Sequence, residues 1–124
     1  MQSIFIVDDS EMMRVFLGKL CEKHGDVHLF NNGESILAEL NIGNIPDIII
    51  LDLNLPGING MQILDILNTY YKHHHIKTFV VSGIDSSEER IACLALGAVD
   101  FIVKPFHPKE LEYKILNGLN LSIQ

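Results

Sequence analysis

The sequence contains few cysteines and few basic residues. Its two cysteines, Cys21 and Cys93, lie far apart without a CxxC pairing, and each falls among apolar residues in a helical pattern. Buried free thiols are therefore favoured over a disulfide or a metal-binding pair. The nine lysines and arginines are scattered among sixteen aspartates and glutamates, and the net charge is −7. This excess of negative charge disfavours electrostatic binding to nucleic acid that is independent of base sequence, and we expect no direct nucleic-acid partner.

Long hydrophobic runs and internal repeats are also missing. No run approaches the ~20 residues that span a bilayer, and the N-terminal segment has neither a basic leader nor the apolar length of a signal peptide. We therefore expect a cytoplasmic protein without membrane association. The only biased tract is His73–His75, and 48% of the 124 residues are hydrophobic and 20% charged. This composition favours one globular domain over residues 1–124.

Short apolar segments alternate with segments of helical periodicity along the chain. The predicted strands are Ser3–Val7, Val27–Phe30, Asp47–Leu51, Lys77–Ser82 and Val99–Val103. The predicted helices follow from apolar residues spaced three and four apart, namely Met13, Phe16, Leu17 and Leu20; Leu37 and Leu40; Leu64, Leu67 and Tyr71; Ile91, Leu94, Ala95 and Ala98; and Leu111, Ile115 and Leu119. Five β-α units in this order require parallel strands joined by right-handed crossovers, which predicts a doubly wound α/β sheet with helices on both faces.

Local signals predict several helix ends. The first helix is expected to end near His24–Gly25, and Pro108 suits the first turn of the last helix. Ser86 and Glu89 form a predicted capping box before the fourth helix. His73–His75 is placed at the end of the third helix, where cationic side chains are favourable, and surface decoration is preferred to metal binding.

Polar residues follow the predicted strands at their carboxyl ends. Asp8 and Asp9 come after the first strand, and Asp52 ends the apolar run of the third. Ser82 ends the fourth strand, and Lys104 follows the fifth. Ligands of doubly wound sheets bind beyond the carboxyl ends of the strands, where the strand order reverses. In the flavodoxin-like order 2-1-3-4-5 the first and third strands are neighbours, so we expect the three carboxylates in one crevice.

Three carboxylates in one crevice favour the binding of a cation. Two carboxylates about 4 Å apart repel by ~4 kcal/mol at an effective dielectric of about 20, so such a cluster raises its own pKa values or recruits a metal ion. Mg²⁺ suits an all-oxygen set that leaves room for water and a phosphoryl oxygen, whereas zinc would favour Cys or His. A hydroxyl, a lysine and a metal around one carboxylate would surround a phosphoryl group, although a structural ion-pair network is the alternative for these residues.

An ordered set of residues carries a resemblance to a known family. The set consists of Asp8-Asp9-Ser10, Asp52 with Pro56 and Gly60 behind it, Ser82, and Lys104-Pro105. It resembles the receiver domain of response regulators, the CheY-like family of two-component signalling, and the match covers essentially the whole chain. The resemblance implies a (βα)5 CheY-like fold with the flavodoxin-like strand order.

The resemblance also implies a role for each acidic residue. Asp52 would accept a phosphoryl group from a phosphohistidine of a histidine kinase or of a histidine phosphotransfer protein. Asp9 would bind Mg²⁺ (or Mn²⁺) directly and Asp8 chiefly through water, while Asp52 and the backbone carbonyl of Asn54 would complete the protein ligands. The domain would act in signalling rather than as an enzyme, apart from assisting its own phosphorylation and dephosphorylation.

A conformational switch is implied as well. Lys104 would pair with the phosphoryl oxygens, and the peptide bond before Pro105 would be cis. The Ser82 hydroxyl would move toward the phosphoryl group, and Phe101 would turn inward. The surface made by the fourth helix, the fifth strand and the fifth helix, about residues 86–119, would then change its preference for a downstream effector protein.

Departures from the family pattern leave some properties open. Asn54 could orient an attacking water, but Ile84, two residues beyond Ser82, could not, so no phosphoryl lifetime is predicted. Val99 occupies a position that is often acidic in dimerising regulators, which favours a monomer or a weak dimer. The chain could be a free-standing regulator, a phosphorelay intermediate, or a receiver from a hybrid kinase or a DNA-binding regulator.

The hypotheses of an enzymatic function and of a cofactor-binding function fit the sequence less well. A haloacid-dehalogenase-like phosphohydrolase is the nearest enzymatic rival, but its nucleophile lies in a DxD motif after the first strand of its core, whereas this chain has Asp52 in DLN after the third. FMN binding is disfavoured because Asp8 and Asp9 would repel a phosphate after the first strand.

Overall fold

Five parallel strands form one sheet with helices on both faces in the computed structural model, which describes residues 2–118. The strand order is β2-β1-β3-β4-β5, which confirms the predicted doubly wound α/β fold. The strands are β1 (Gln2–Val7), β2 (Gly25–Phe30), β3 (Ile48–Asp52), β4 (Lys77–Ser82) and β5 (Asp100–Val103). The helices are α1 (Glu11–Cys21), α2 (Gly33–Asn41), α3 (Gly60–Tyr70), α4 (Ser87–Ala95) and α5 (Pro108–Gly118), and a 3-10 turn covers Lys72–His74.

The central strand β3 is buried along its whole length. Ile49 and Leu51 pack into a cluster with residues of α2 and α3, whereas Ile48 and Ile50 pack with residues of α1 and α5. Successive side chains of a strand point to opposite faces, so a strand covered on both sides must be apolar at every position. The run of four apolar residues before Asp52 is therefore explained by the two helical layers.

Gly60 places the start of α3 directly against the end of β3. A Cβ atom at this position would lie 2.6 Å from the carbonyl oxygen of Asp52 and from the Cα of Leu53. Asn59 and Gln62 form a complete capping box, in which each side chain accepts a hydrogen bond from the backbone N–H of the other, at 3.0 and 2.9 Å. This loop is consequently fixed at both its strand and its helix end.

Several boundaries differ from the sequence predictions. Helix α1 ends at Cys21 rather than near His24–Gly25, because Gly25 already pairs with Gln2 in the sheet. A Cβ at Gly25 would overlap the carbonyl oxygen of Gln2. Strand β5 begins at Asp100, one residue later than predicted. The predicted helical residue Leu119 lies outside the described residues.

The histidine tract and one predicted cap also differ. Helix α3 ends at Tyr70, and His73 and His74 lie in the separate 3-10 turn, which is followed by His75 in a left-handed conformation with φ 57°. Placing the tract in α3 was therefore wrong, since the helix stops before it. The Ser86 hydroxyl accepts from the Glu89 N–H at 3.3 Å. The return bond from the Ser86 N–H is absent from the hydrogen bonds of residues 2–118, so only half of that capping box forms.

Both cysteines are buried and free, as predicted. Cys21 and Cys93 belong to the clusters on opposite faces of the sheet. Burial raises the pKa of the Cys21 thiol to about 12 and that of the Cys93 thiol to about 11, with Glu112 and Glu89 adding smaller effects. Neither thiol is suited to nucleophilic chemistry near neutral pH.

Helix α5 is tied to the end of α1 through Glu112. The Glu112 carboxylate lies 2.8 Å from Lys23 Nζ, 2.9 Å from His24 Nε2 and 3.4 Å from Lys109 Nζ. These hydrogen bonds, led by the one from Lys23, lower the pKa of Glu112 to about 2. Sequence patterns do not predict this cluster, because its members come from opposite ends of the chain.

None of the helices in residues 2–118 has both the length and the apolar character needed to cross a bilayer.

Candidate functional site

Three carboxylates lie side by side at the carboxyl ends of β1 and β3. Asp8, Asp9 and Asp52 each offer an oxygen within 4.8 Å of the oxygens offered by the other two. The pairing of β1 with β3, in which Val7 lies opposite Leu51, brings the residues after both strands to one point. The crevice expected from the strand order is therefore present.

Lys104 bridges the two buried carboxylates of this crevice. Its Nζ lies 3.1 Å from Asp8 Oδ2 and 3.4 Å from Asp52 Oδ2. The other oxygen of Asp8 accepts from the Ser10 N–H at 2.9 Å, and that of Asp52 accepts from the Asn54 N–H at 3.0 Å. Asp8 and Asp52 are only 1% and 4% exposed. Each buried carboxylate is thus held by one backbone N–H and the shared ammonium group.

The charge of Asp52 is not fully compensated by these contacts. Burial raises the pKa of Asp52, the Asn54 N–H lowers it, the neighbouring Asp8 carboxylate raises it and Lys104 lowers it, with a raised pKa as the net result. A further cation beside this carboxylate would favour its ionised form. Within residues 2–118 the clustered donors are carboxylates only, and an all-oxygen set suits Mg²⁺ or Mn²⁺ better than zinc.

Ser10 and Arg14 hold the loop that carries the acidic pair. The Ser10 hydroxyl caps α1 by accepting from the Met13 N–H at 3.3 Å, and Arg14 Nη1 donates to the Asp8 carbonyl at 2.9 Å. The serine cap has a recognisable signal, a hydroxyl residue before a helical pattern. The arginine contact has none, because a long side chain can reach in several directions from the same helix position.

Ser82 and Phe101 occupy buried positions on the adjacent strands β4 and β5. The Ser82 hydroxyl accepts from the Ile84 N–H at 3.1 Å and donates to the Ile84 carbonyl at 3.4 Å. Phe101 is 4% exposed, and the guanidinium carbon of Arg90 lies 5.6 Å from its ring centroid. The hydroxyl is therefore engaged with its own loop, and the aromatic ring already points inward.

The end of β5 has the backbone geometry that the resemblance implied. The Lys104–Pro105 peptide bond is cis. The Lys104 N–H donates to the Ser82 carbonyl at 2.7 Å, which joins the ends of β4 and β5 beside the crevice.

Comparison with known proteins agrees with this geometry. A family model described as the response regulator receiver domain matches residues 4–116. The chain belongs to this receiver family. Receivers are signalling domains of two-component systems, in which they work with histidine kinases and downstream effectors, and they generally bind Mg²⁺ at an acidic pocket.

Curated relatives of this receiver are longer proteins. It is 40% identical over 110 residues to protein-glutamate methylesterase/protein-glutamine glutaminase 3 of Rhodospirillum rubrum, and the match covers 85% of this chain and 28% of that protein. It is 33% identical over 124 residues to the aerobic respiration control protein ArcA of Escherichia coli K12, covering 97% of this chain and 49% of ArcA. The receiver thus spans between about a quarter and a half of the length of these relatives.

Solved receiver structures match the whole fold. The CheY-like response regulator receiver domain protein of Methanospirillum hungatei superposes with a TM-score of 0.85 at 25% identity, covering 97% of this chain and 94% of that one. The receiver domain of the Francisella response regulator 1452 gives a TM-score of 0.83 at 26% identity, covering 97% and 98%. The predicted CheY-like architecture is confirmed.

Proposed function

We propose that this receiver, taken as one domain over residues 1–124, accepts a phosphoryl group on Asp52 from a phosphohistidine of a histidine kinase or a histidine phosphotransfer protein. The observation that carries the proposal is the position of Asp52. It ends the central strand, is buried, and shares Lys104 with Asp8. A carboxylate that is merely structural has no need of a second and third carboxylate beside it.

The acidic residues would divide the binding of Mg²⁺ or Mn²⁺ between them. Both oxygens of Asp8 already accept hydrogen bonds, which supports a contact through water, whereas Asp9 is exposed and supports a direct one. Asp52 and the backbone carbonyl of Asn54 complete the proposed protein ligands. When bound, the ion supplies charge stabilisation for the phosphoryl oxygens.

The transfer itself needs Asp52 as a nucleophile and Lys104 as a counter-charge. An oxygen of Asp52 attacks the phosphorus atom, the P–N bond of the phosphohistidine breaks, and its electron pair returns to the imidazole. Lys104, which now bridges Asp8 and Asp52, pairs with the phosphoryl oxygens of the acyl phosphate. Because the nucleophile is already in place beside Lys104, the residues contribute mainly positioning and electrostatic stabilisation.

Phosphorylation would change the position of the Ser82 hydroxyl and, through it, the surface formed by α4, β5 and α5. The hydroxyl of Ser82 must give up its contacts with Ile84 to reach the phosphoryl group, and Phe101 holds the buried position that this rearrangement requires. The surface displays Ile91 and Tyr113, which are 67% and 46% exposed. We assign it to a downstream effector protein, with the receiver itself a monomer or a weak dimer.

Intact mass measurement tests the assignment of Asp52. Incubation with acetyl phosphate and Mg²⁺ is expected to add one phosphoryl group to the wild type and none to Asp52→Ala. Asp65→Ala, which removes an exposed carboxylate of α3, is the matched control and is expected to be modified like the wild type. An adduct of equal yield in Asp52→Ala, or in the wild type without metal, would overturn the proposal.

A further inference from the structure

A second cleft lies at the edge of the sheet opposite the acidic crevice. It has a volume of about 220 Å³ and is enclosed by the end of α3, the start of β4 and the turn between α4 and β5. Leu64, Leu67 and Leu96 give it an apolar floor. The proposed phosphorylation of Asp52 makes no use of it.

The charged residues that line this cleft are all basic. They are Lys72 and Lys77, with His75 beside them. The chain has sixteen Asp and Glu but only nine Lys and Arg. A cleft lined by lysines and by no carboxylate is therefore unexpected from the overall composition. Among residues 2–118, neither lysine lies within ion-pairing distance of a carboxylate. The cleft therefore holds two lysines that form no ion pair with the described part of the chain.

The helix ends at this edge oppose the lysines only weakly. Helices α3 and α4 both end at the cleft, and the carboxyl end of a helix carries about half a negative charge. In α4, the Leu94 carbonyl accepts from the Gly97 N–H at 3.0 Å and the Cys93 carbonyl accepts from the Ala98 N–H at 3.1 Å. These bonds consume carbonyl groups that could have attracted a cation, so the two full lysine charges dominate.

Thr78 contributes a buried hydroxyl to the same cleft. The residue is 3% exposed and lines the cleft at the start of β4. The hydrogen bonds within residues 2–118 include none from this hydroxyl, although every fully buried side-chain nitrogen or oxygen there has a partner. The hydroxyl is therefore not fully buried, and the residue that carries it lines the cleft. A nearly buried donor without a protein partner gains from an acceptor on a bound molecule.

We propose that this cleft binds a small organic anion in which one carboxylate or phosphate group is attached to a compact apolar body. Lys72 and Lys77 neutralise the anionic group, Thr78 donates a hydrogen bond to it, and the apolar body packs on Leu64 and Leu67. The volume of about 220 Å³ corresponds to roughly seven waters, which suits a molecule smaller than a typical drug. The proposal is independent of the phosphorylation of Asp52.

Amide chemical shifts of the ¹⁵N-labelled receiver, recorded without Mg²⁺, test the proposal. Phenyl phosphate and benzoate are the probes, and benzyl alcohol is the neutral control of similar shape. At least one anion is expected to give saturable shifts centred on Thr78 and Gly97, and benzyl alcohol is expected to bind at least tenfold more weakly. The tighter of the two anions identifies the preferred acidic group.

Variants separate a built site from general charge attraction. Lys72→Gln/Lys77→Gln is expected to weaken binding at least tenfold, and Thr78→Val, which keeps the shape of the side chain, about threefold. Lys19→Gln/Lys114→Gln removes the same charge away from the cleft and is expected to bind within twofold of the wild type. The proposal is overturned if neither anion shifts the cleft amides saturably, if benzyl alcohol binds as tightly, or if both double variants bind alike.

Discussion

Asp8 and Asp9 are adjacent in the sequence but differ in their surroundings. Asp8 is buried between the Ser10 N–H and Lys104, whereas Asp9 is exposed. A residue that directs its carboxylate to solvent at the mouth of the crevice can exchange water for a metal ion at little cost. A residue with both oxygens bonded would first have to release a partner.

This difference predicts how Mg²⁺ stabilises the receiver. A ligand that binds only the folded state, present at a concentration of ten times its Kd, raises the free energy of unfolding by about 1.4 kcal/mol. For a domain of this size that corresponds to an increase of roughly 5 °C in Tm. We expect Mg²⁺ to raise the Tm of the wild type by this amount and that of Asp9→Asn by much less, as measured in thermal scans. Asp65→Asn should keep the full increase. Equal increases in wild type and Asp9→Asn would show that Asp9 is not a ligand.

Single residues also show how far the sequence could be read. The positions of Asp8, Asp52 and Ser82 were predictable because each ends a short apolar run, and parallel strands bring such ends to one edge of the sheet. The bond between the Ser82 hydroxyl and Ile84 was not predictable, since a hydroxyl can turn toward several partners.

Among the elements, α5 depends on charge as well as on apolar packing. Leu111 and Ile115 bury one face of the helix, while Glu112 fixes it to Lys23 and His24 after α1. Helical spacing predicted the apolar contacts because both residues lie on one face of the helix. It could not predict the ionic ones, because their partners follow another helix that is distant in sequence.

The Glu112 cluster predicts a dependence of stability on pH. The pKa of Glu112 is lowered from an ordinary 4.5 to about 2. The ionised carboxylate therefore stabilises the folded state fully above about pH 4.5, and this stabilisation is lost as the pH falls toward 2. Glu112→Gln is expected to lower Tm by a few degrees at pH 7, and the difference from wild type should shrink between pH 4.5 and 2. Thermal scans across this range measure both effects.

Glu110→Gln is the matched control on the same helix. Glu110 pairs with Lys114 at 3.7 Å, and its side chain is 59% exposed, so an effect near zero is expected. A Tm difference between wild type and Glu112→Gln that stays constant down to pH 2 would contradict the ionic role of Glu112.

On the scale of the whole molecule, the acidic crevice and the lysine-lined cleft lie at opposite ends of the strands. The carboxyl edge gathers Asp8, Asp9 and Asp52, and the amino edge presents Lys72 and Lys77. The crossover topology produces this separation, because every strand starts at one edge and ends at the other. Strand order was predictable from the β-α alternation and the family pattern. The amino-edge cleft was not, since loop conformations such as the 3-10 turn shape it.

This separation predicts which elements change their amide hydrogen exchange on phosphorylation. After treatment with acetyl phosphate and Mg²⁺, amide hydrogen exchange is expected to change severalfold in the loops at the carboxyl edge and in α4, β5 and α5. Strand β2 and helix α2, which supply none of the proposed site residues, are expected to keep their rates, and Asp52→Ala should show no change at all. Equal changes in β2 and α2 would contradict a switch confined to the proposed surface.

The burial of both thiols has a practical consequence for following such a switch. With the pKa of Cys21 at about 12 and that of Cys93 at about 11, both remain protonated and shielded at neutral pH. A cysteine introduced at an exposed position such as Tyr113 would then be the fast-reacting group toward maleimide dyes. Fluorescent or spin labels can therefore be attached to the proposed output surface without first replacing the native cysteines.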